Sequence, residues 1–308
     1  MHYNIPILFI IFNRPQIAKQ SFEKIRQIQP STIYIASDGP RNEIEKNVVL
    51  QTREDIIRMI TWPCQIKTLF RETNLGCGPS VYSAINWLFS QEEYGIILED
   101  DCIADITFFN YMQELLLRYK DNQHIGMIAG FNPIGKIFSS DSYCFSKYKA
   151  CWGWGSWRRA WTCMDINMTW RASEQFNDIL CNMGDIGKDV KTWQHKMRLI
   201  DKNSVSAWDW QWYFSLAAHD MLSVFPSVNL ISNIGNDKNA THTSLSNITK
   251  PSYAITFPLR HPSYILPSQK FDHVFYKKTH TLGSIIRRML PTKFKHTLKV
   301  IYRKIWQQ

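Results

Sequence analysis

The sequence predicts an α/β fold in which a mostly parallel sheet is covered by helices on both faces. Three observations lead there. Short apolar runs recur through the first 130 residues. The stretches between them carry apolar residues at i, i+3 and i+4, the rhythm of amphipathic helices. No linker-like composition divides the 308 residues, which suffice for one large core. Strand–helix–strand alternation favours parallel pairing, because a parallel pair needs a long crossover and a helix supplies it.

In chain order, IPILFIIF at 5–12 is the first strand. It has neither the basic front nor the small-residue cleavage site of a signal peptide, and it is far shorter than the roughly 20 residues of a bilayer span. A helix follows at 16–28, with Phe22, Ile25 and Ile28 on one face. The runs TIYIA (32–36), IKTLF (66–70), IIL (96–98) and IGMIA (125–129) continue the sheet, with helices at 43–60, 79–90 and 106–119 between them. From about residue 135 the rhythm breaks up and aromatics crowd 143–170 and 208–214. That region reads as loops, short helices and a few strands added to one edge of the sheet. The expected division is 1–135 for nucleotide-sugar binding, 136–262 for the acceptor, and 263–308 as a tail.

Charge separates tail from body. The net charge is +10, yet from Lys277 onward there are nine Lys or Arg and no acid, which leaves +1 for the other 276 residues. A body this neutral does not imply a nucleic-acid partner, and none is expected. Within 282–306, two short helices divided by Pro291 are expected. Phe294, Leu298, Ile301 and Ile305 share a face of the second, against Lys293, Lys295, Lys299, Arg303 and Lys304. Such a helix suits an anionic membrane surface, giving a peripheral, cytoplasmic protein; docking on its own domain with the lysines solvated is the alternative. The seven cysteines form no CxxC pair, which points to free thiols in a reducing compartment.

The chemistry centres on YGIILEDDCI at 94–103. A buried strand runs into Glu99, Asp100 and Asp101, at the strand end where open α/β sheets collect ligands. Three adjacent carboxylates repel one another. A divalent Mg2+ or Mn2+ would relieve that and leave open positions for phosphate oxygens. A solvated acidic turn is the plain alternative. Other strand ends lead into Asn13-Arg14-Pro15 and Ser37-Asp38-Gly39-Pro40. Arg14 can answer phosphate, and Asp38 can accept from a base or ribose. RETNLGCGPS, from Arg71 to Ser80, opens a helix whose glycines let backbone approach an anion. Asp209, flanked by Trp208, Trp210 and Trp212, is a candidate base among sugar-stacking aromatics, or a buried Asp in a tryptophan core. CWGWGSWRRAW at 151–161 reads as a loop entering a helix, with Trp152 or Trp154 against a sugar. His242, in NIGNDKNATHT, is a candidate metal or diphosphate contact.

ILFIIFNRP, IYIASDGP, NLGCGPS, GIILEDDC, CWGWGSWRRAW and WDWQW, in this order, resemble a bacterial group of GT-A-fold nucleotide-sugar transferases, distantly similar to the N-acetylglucosaminyltransferase I family. The resemblance covers about residues 4–245. It implies an inverting, metal-dependent transfer from a UDP-sugar to a glycan or lipid-linked glycan acceptor, in bacterial surface polysaccharide synthesis. It implies metal binding by Asp101, ribose contact by Asp100 and sugar-hydroxyl contact by Glu99. Arg14 and Asp38 would line the nucleotide pocket, with Asp38 near the uracil; Arg71 and Trp154, read from the residues themselves, are further nucleotide-sugar-binding candidates. Asp209 would be the general base. Against it stand a sugar nucleotidyltransferase, whose Gly-rich, Lys-bearing loop is replaced here by FNRP, and a non-catalytic glycan-binding scaffold.

Overall fold

The computed structural model describes residues 3–137, 140–185, 187, 189–203, 205–206, 208–235 and 250–279. His242 and the segment 282–306 lie outside them. The expected fold class is the observed one. Strands β1 (Ile7–Ile11), β2 (Thr32–Ser37), β3 (Gln65–Phe70), β4 (Tyr94–Glu99) and β6 (Ile125–Ala129) fall on the apolar runs, and β5 (Cys102–Ala104) is a short addition. Helices α1 (Pro15–Ile28), α2 (Glu43–Arg58), α3 (Cys77–Gln91) and α4 (Thr107–Arg118) fall on the periodic stretches. After them come β7 (Tyr143–Ser146), β8 (Trp154–Trp157), α5 (Arg158–Trp161), α6 (Phe176–Cys181), α7 (Val190–Asp201), α8 (Asp209–Ala218), β9 (Leu222–Pro226), β10 (Ile231–Asn233) and α9 (Gln269–Thr279).

Eight strands form one sheet in the order β3-β2-β1-β4-β8-β6-β9-β7, and β10 pairs with β5 in a separate ribbon. Six strands run one way, while β8 and β7 oppose them. Side chains of β1 alternate between the faces: Ile7, Phe9 and Ile11 pack with α1 and α4, and Leu8 packs with α3 and α8. Both faces are therefore apolar, as parallel sheets require. Local chemistry explains the helix ends. Pro15 starts α1, where its missing N–H costs nothing. Asn42 caps α2, its Oδ1 accepting from Glu45 N at 3.0 Å.

The second half corrects one expectation. WGSW is a strand, β8, wedged between β4 and β6 and not added at an edge. All four of its residues are buried. A strand covered on both faces has no polar alternation to announce it, and its Gly-Ser centre reads as a turn. At the far edge, α9 docks on β7 and β9 through Phe271 and Phe275, which pack against Phe225, while Phe275 stacks on Tyr148. All seven cysteines are free thiols; Cys102 and Cys151 are buried and the others half-buried. Among the described residues no helix is long and apolar enough to cross a membrane.

Candidate active site

Parallel pairing brings the carboxyl ends of β2, β1 and β4 side by side: Ile11 pairs with Ser37, and Ile10 with Glu99. Asp38, Arg14 and the Glu99–Asp101 turn, far apart in sequence, thereby share one corner. Arg14, the N-cap residue of α1, donates from Nη2 to Asp100 Oδ1 and, at 3.1 Å, to Asp101 Oδ2. The first answer to the clustered carboxylates is thus an arginine within the chain. It is not a full answer. Asp100 is 3% exposed, and its Oδ2 is buried with no hydrogen-bond partner. Burial pushes Asp100 up to about 6 despite Arg14. Glu99 rises further, to about 8, through burial and then repulsion from Asp101, Asp100 and Asp209.

That last repulsion locates Asp209, which begins α8 and stands within electrostatic reach of Glu99. Two of the three tryptophans around it serve as core, and Trp210 is half-buried. Trp208 and Trp212 are 5% and 0% exposed and pack with Trp154 and Trp161; the Trp154–Trp208 rings stack at 5.9 Å. They anchor the start of α8, and with it Asp209. Trp154, expected against a sugar, is a fully buried β8 residue of this cluster. Trp152 is its partly exposed neighbour, with its ring 4.5 Å from Phe131.

Asp38 has work inside the protein. Its carboxylate accepts from Gly39 N at 2.9 Å, Leu75 N at 3.0 Å and Gly76 N at 3.0 Å. It therefore fastens the glycine loop before α3. Gly76, at φ 84, makes the turn there that an L side chain resists. Arg71 donates to Ser80 and Ser83 on α3. The two loops are tied from behind by Arg53, whose guanidinium donates to Ser37 Oγ, Asp38 O and Arg71 O at 2.7–2.9 Å.

Three of these contributors went unread in the sequence. Arg53 carries a faint signal, an arginine on the α2 face of the buried Val49 and Ile56. Asn233 carries none. It ends β10 and donates from Nδ2 to Asp101 Oδ1 at 3.0 Å, while Ile234 N donates to Asp101 O at 2.9 Å. Gly235 passes so close that a Cβ there would lie 2.1 Å from Asp101 Oδ2. Cys77, first residue of α3, lies within electrostatic reach of the same acids: burial raises its thiol to about 12, with further contributions from Glu99, Asp209, Asp101 and Asp38.

The donor set fits a divalent ion held by few protein groups. Carboxylate oxygens are hard ligands, Asp101 and Glu99 are partly exposed, and the orphaned Asp100 Oδ2 has unmet acceptor capacity. Among the described residues no three His, Cys, Asp or Glu stand close enough to hold an ion by themselves. Two clefts, one along α3 and one beside the 131–137 loop, lie apart from these acids.

No family model and no curated protein matches the chain. Among solved structures, it is similar to a mannosyltransferase from Pyrobaculum calidifontis in complex with GDP-Man and Mn2+, at 9% identity and TM-score 0.35. That overlap covers 51% of this chain and 45% of the other, so this chain spans less than half of that protein. It is also similar to a cytidylyltransferase from Leptospira borgpetersenii (12% identity, TM-score 0.33, 53% and 64% covered). A third is 4-diphosphocytidyl-2C-methyl-D-erythritol synthase from Anaerococcus prevotii (10%, 0.32, 55% and 78%). Overlaps this distant say nothing of what this chain binds.

Proposed function

We propose that the chain is an inverting, metal-dependent glycosyltransferase that moves a sugar from a UDP-sugar to a glycan or lipid-linked glycan. The observation that carries this reading is the convergence of Arg14, Asp38, Glu99, Asp100, Asp101 and Asp209 at the carboxyl edge of a parallel sheet. A nucleoside diphosphate needs such a mixture: positive charge for phosphates, carboxylates for hydroxyls and for a divalent ion.

Asp101, with phosphate oxygens completing its coordination, would hold Mg2+ or Mn2+. The ion, when bound, offsets charge on the departing diphosphate. The rest falls to the chain. Arg14 turns from its acid pair toward phosphate oxygen, and Glu99 and Asp100 accept from sugar and ribose hydroxyls. Asp38, by holding the Gly76 loop, shapes the nucleotide end. An acceptor hydroxyl attacks the anomeric carbon from the side opposite the diphosphate. The new C–O bond forms as the bond to UDP breaks, and the hydroxyl proton passes to Asp209. Placement at an anionic membrane surface rests on residues 282–306 and their one-sided charge.

Titration of UDP into the protein with and without Mn2+ tests the reading. At least tenfold tighter binding with Mn2+ is expected. Equal affinity removes the metal-dependent site, and a preference for a nucleoside triphosphate favours nucleotidyl transfer. Asp209→Asn should lower turnover about 10²–10⁴-fold while UDP-sugar affinity holds; full activity in that variant removes Asp209 as the base.

A further inference from the structure

On the same carboxyl edge of the sheet, apart from the acid corner, lies a second charged place of opposite sign. The loop 131–137 follows β6, and a cleft of about 560 Å3 opens between Gly135, Lys136, Val228, Tyr253 and Ala254. That volume is within the range of small-molecule sites. Three lysines gather at the loop. Lys136 belongs to it and is exposed, Lys250 donates to Pro133 O, and Lys278 of α9 donates to Ile134 O at 2.6 Å. Lys250 also sits 5.8 Å from the Phe131 ring, the partner of Trp152.

Among the described residues these lysines have no counter-charge of the kind Arg14 gives the acids. Among the described residues no carboxylate pairs with any of the three. Backbone carbonyls cap Lys250 and Lys278, but a carbonyl is neutral and takes one of the three protons an ammonium offers. Burial and then the nearness of Lys278 lower the Lys250 pKa, so the group is half-desolvated beside a like charge. Such an arrangement is relieved by an oxyanion.

Connectivity says which oxyanion is useful. Val228 lines the cleft, and five residues later Asn233 holds Asp101. An extended stretch of that length spans at most about 18 Å. The strand ends that carry the two places are in contact: Gly130 N donates to Gly153 O at 2.7 Å, and a Cβ on Gly153 would lie 3.1 Å from the Leu98 side chain, next to Glu99. The half-exposed Phe131–Trp152 pair stands at the start of the same loop.

We propose that the lysine cluster on the 131–137 loop, with the cleft that Lys136 lines, seats an anionic group of the acceptor, a phosphate or a sugar carboxylate, with Phe131 and Trp152 as the platform for an adjoining sugar ring. The word acceptor rests on the transferase reading; the anion site does not. Ammonium groups suit either oxyanion, because they act as point charges and demand no planar partner.

The test uses glucose 1-phosphate, glucuronate and glucose, each titrated into the full chain in metal-free, low-salt buffer. At least one anionic sugar should bind at least tenfold more tightly than glucose, and which one does so identifies the oxyanion. In Lys136→Ala/Lys250→Met its affinity should fall about tenfold or more, since each lost charge-assisted hydrogen bond is worth on the order of 1.5 kcal/mol. Lys278→Ala, on an exposed side chain, should give a loss of roughly threefold and serves if the double variant melts early. Asp101→Asn should bind the anionic sugar as the parent does. Unchanged binding in both lysine variants, or no preference for anions over glucose, overturns the proposal. So does loss of binding in Arg14→Ala with the lysine variants intact, which would seat the anion in the acid corner. If these expectations hold while UDP shows no dependence on Mn2+, the anion site stands and the transferase reading falls.

Discussion

The acid corner and the lysine cleft share one edge of the sheet and are built on opposite principles. In the corner, like charges are held together by a resident partner. Arg14 bridges Asp100 and Asp101, Asn233 takes the remaining oxygen of Asp101, and one oxygen of Asp100 is left over. In the cleft, lysines gather with carbonyl caps and no paired carboxylate among the described residues. Both places keep some repulsion without a ligand, among the acids around Glu99 and between Lys250 and Lys278, but only the corner has a resident ion of opposite sign among the described residues. Charge clustering alone does not separate these cases; the identity of the partner does.

Breaking the resident pair gives the largest expected effect. Arg14→Ala leaves two carboxylates, one of them buried, without their cation. The expected loss is about 3 kcal/mol, or roughly 5–10 °C in melting temperature, and it should shrink at pH 5, where Asp100 accepts a proton more readily. A loss below that of an ordinary surface substitution at pH 8 would show that Arg14 is not the counter-charge. Glu99→Gln comes next and probes the repulsion left over. Glu99 is raised from 4.5 to about 8 in the folded chain, so the folded state binds more protons than the unfolded one across that window. Its contribution to stability is fully present below 4.5 and is lost as pH rises through about 8. Thermal melts of the variant should therefore decline less between pH 5 and pH 8 than those of the parent; parallel curves would remove the assignment.

The cleft should respond in the other direction. Lys250→Met keeps most of the aliphatic stem and deletes the charge, and its melting temperature should be unchanged or slightly raised in low salt. A drop of more than about 1 kcal/mol would mean that the bond to Pro133 O outweighs the repulsion. Smallest is the effect of salt. Raising ionic strength should stabilise the parent by a few tenths of a kcal/mol through screening of exposed lysines, and Lys136→Ala should reduce that gain.

Much of the corner was legible because its parts sit at strand ends, and strand ends are local features. The apolar run before Glu99 and the runs before Arg14 and Asp38 marked three loops, and parallel pairing did the rest. What those residues touch was less visible. Asp38 was expected at a nucleotide base, and its carboxylate is found accepting from backbone 37 residues on, at Leu75. Trp208 and Trp212 have the composition of a sugar platform and the burial of a core, and composition cannot rank the two. Strand β8 hid because both its faces are covered. Asn233 hid because an uncharged side chain in a short strand gives no periodic or electrostatic signal. The lysine cleft is drawn from residues scattered between 131 and 278, and only the fold puts them together.

The ribbon that steadies Asp101 joins Cys102–Ala104 to Ile231–Asn233, segments more than a hundred residues apart. A nascent chain that has emerged only through β6 already carries the acids and Arg14 but lacks their brace, and it lacks Asp209 as well. The brace on Asp101 is therefore complete only once the C-terminal portion has arrived and docked.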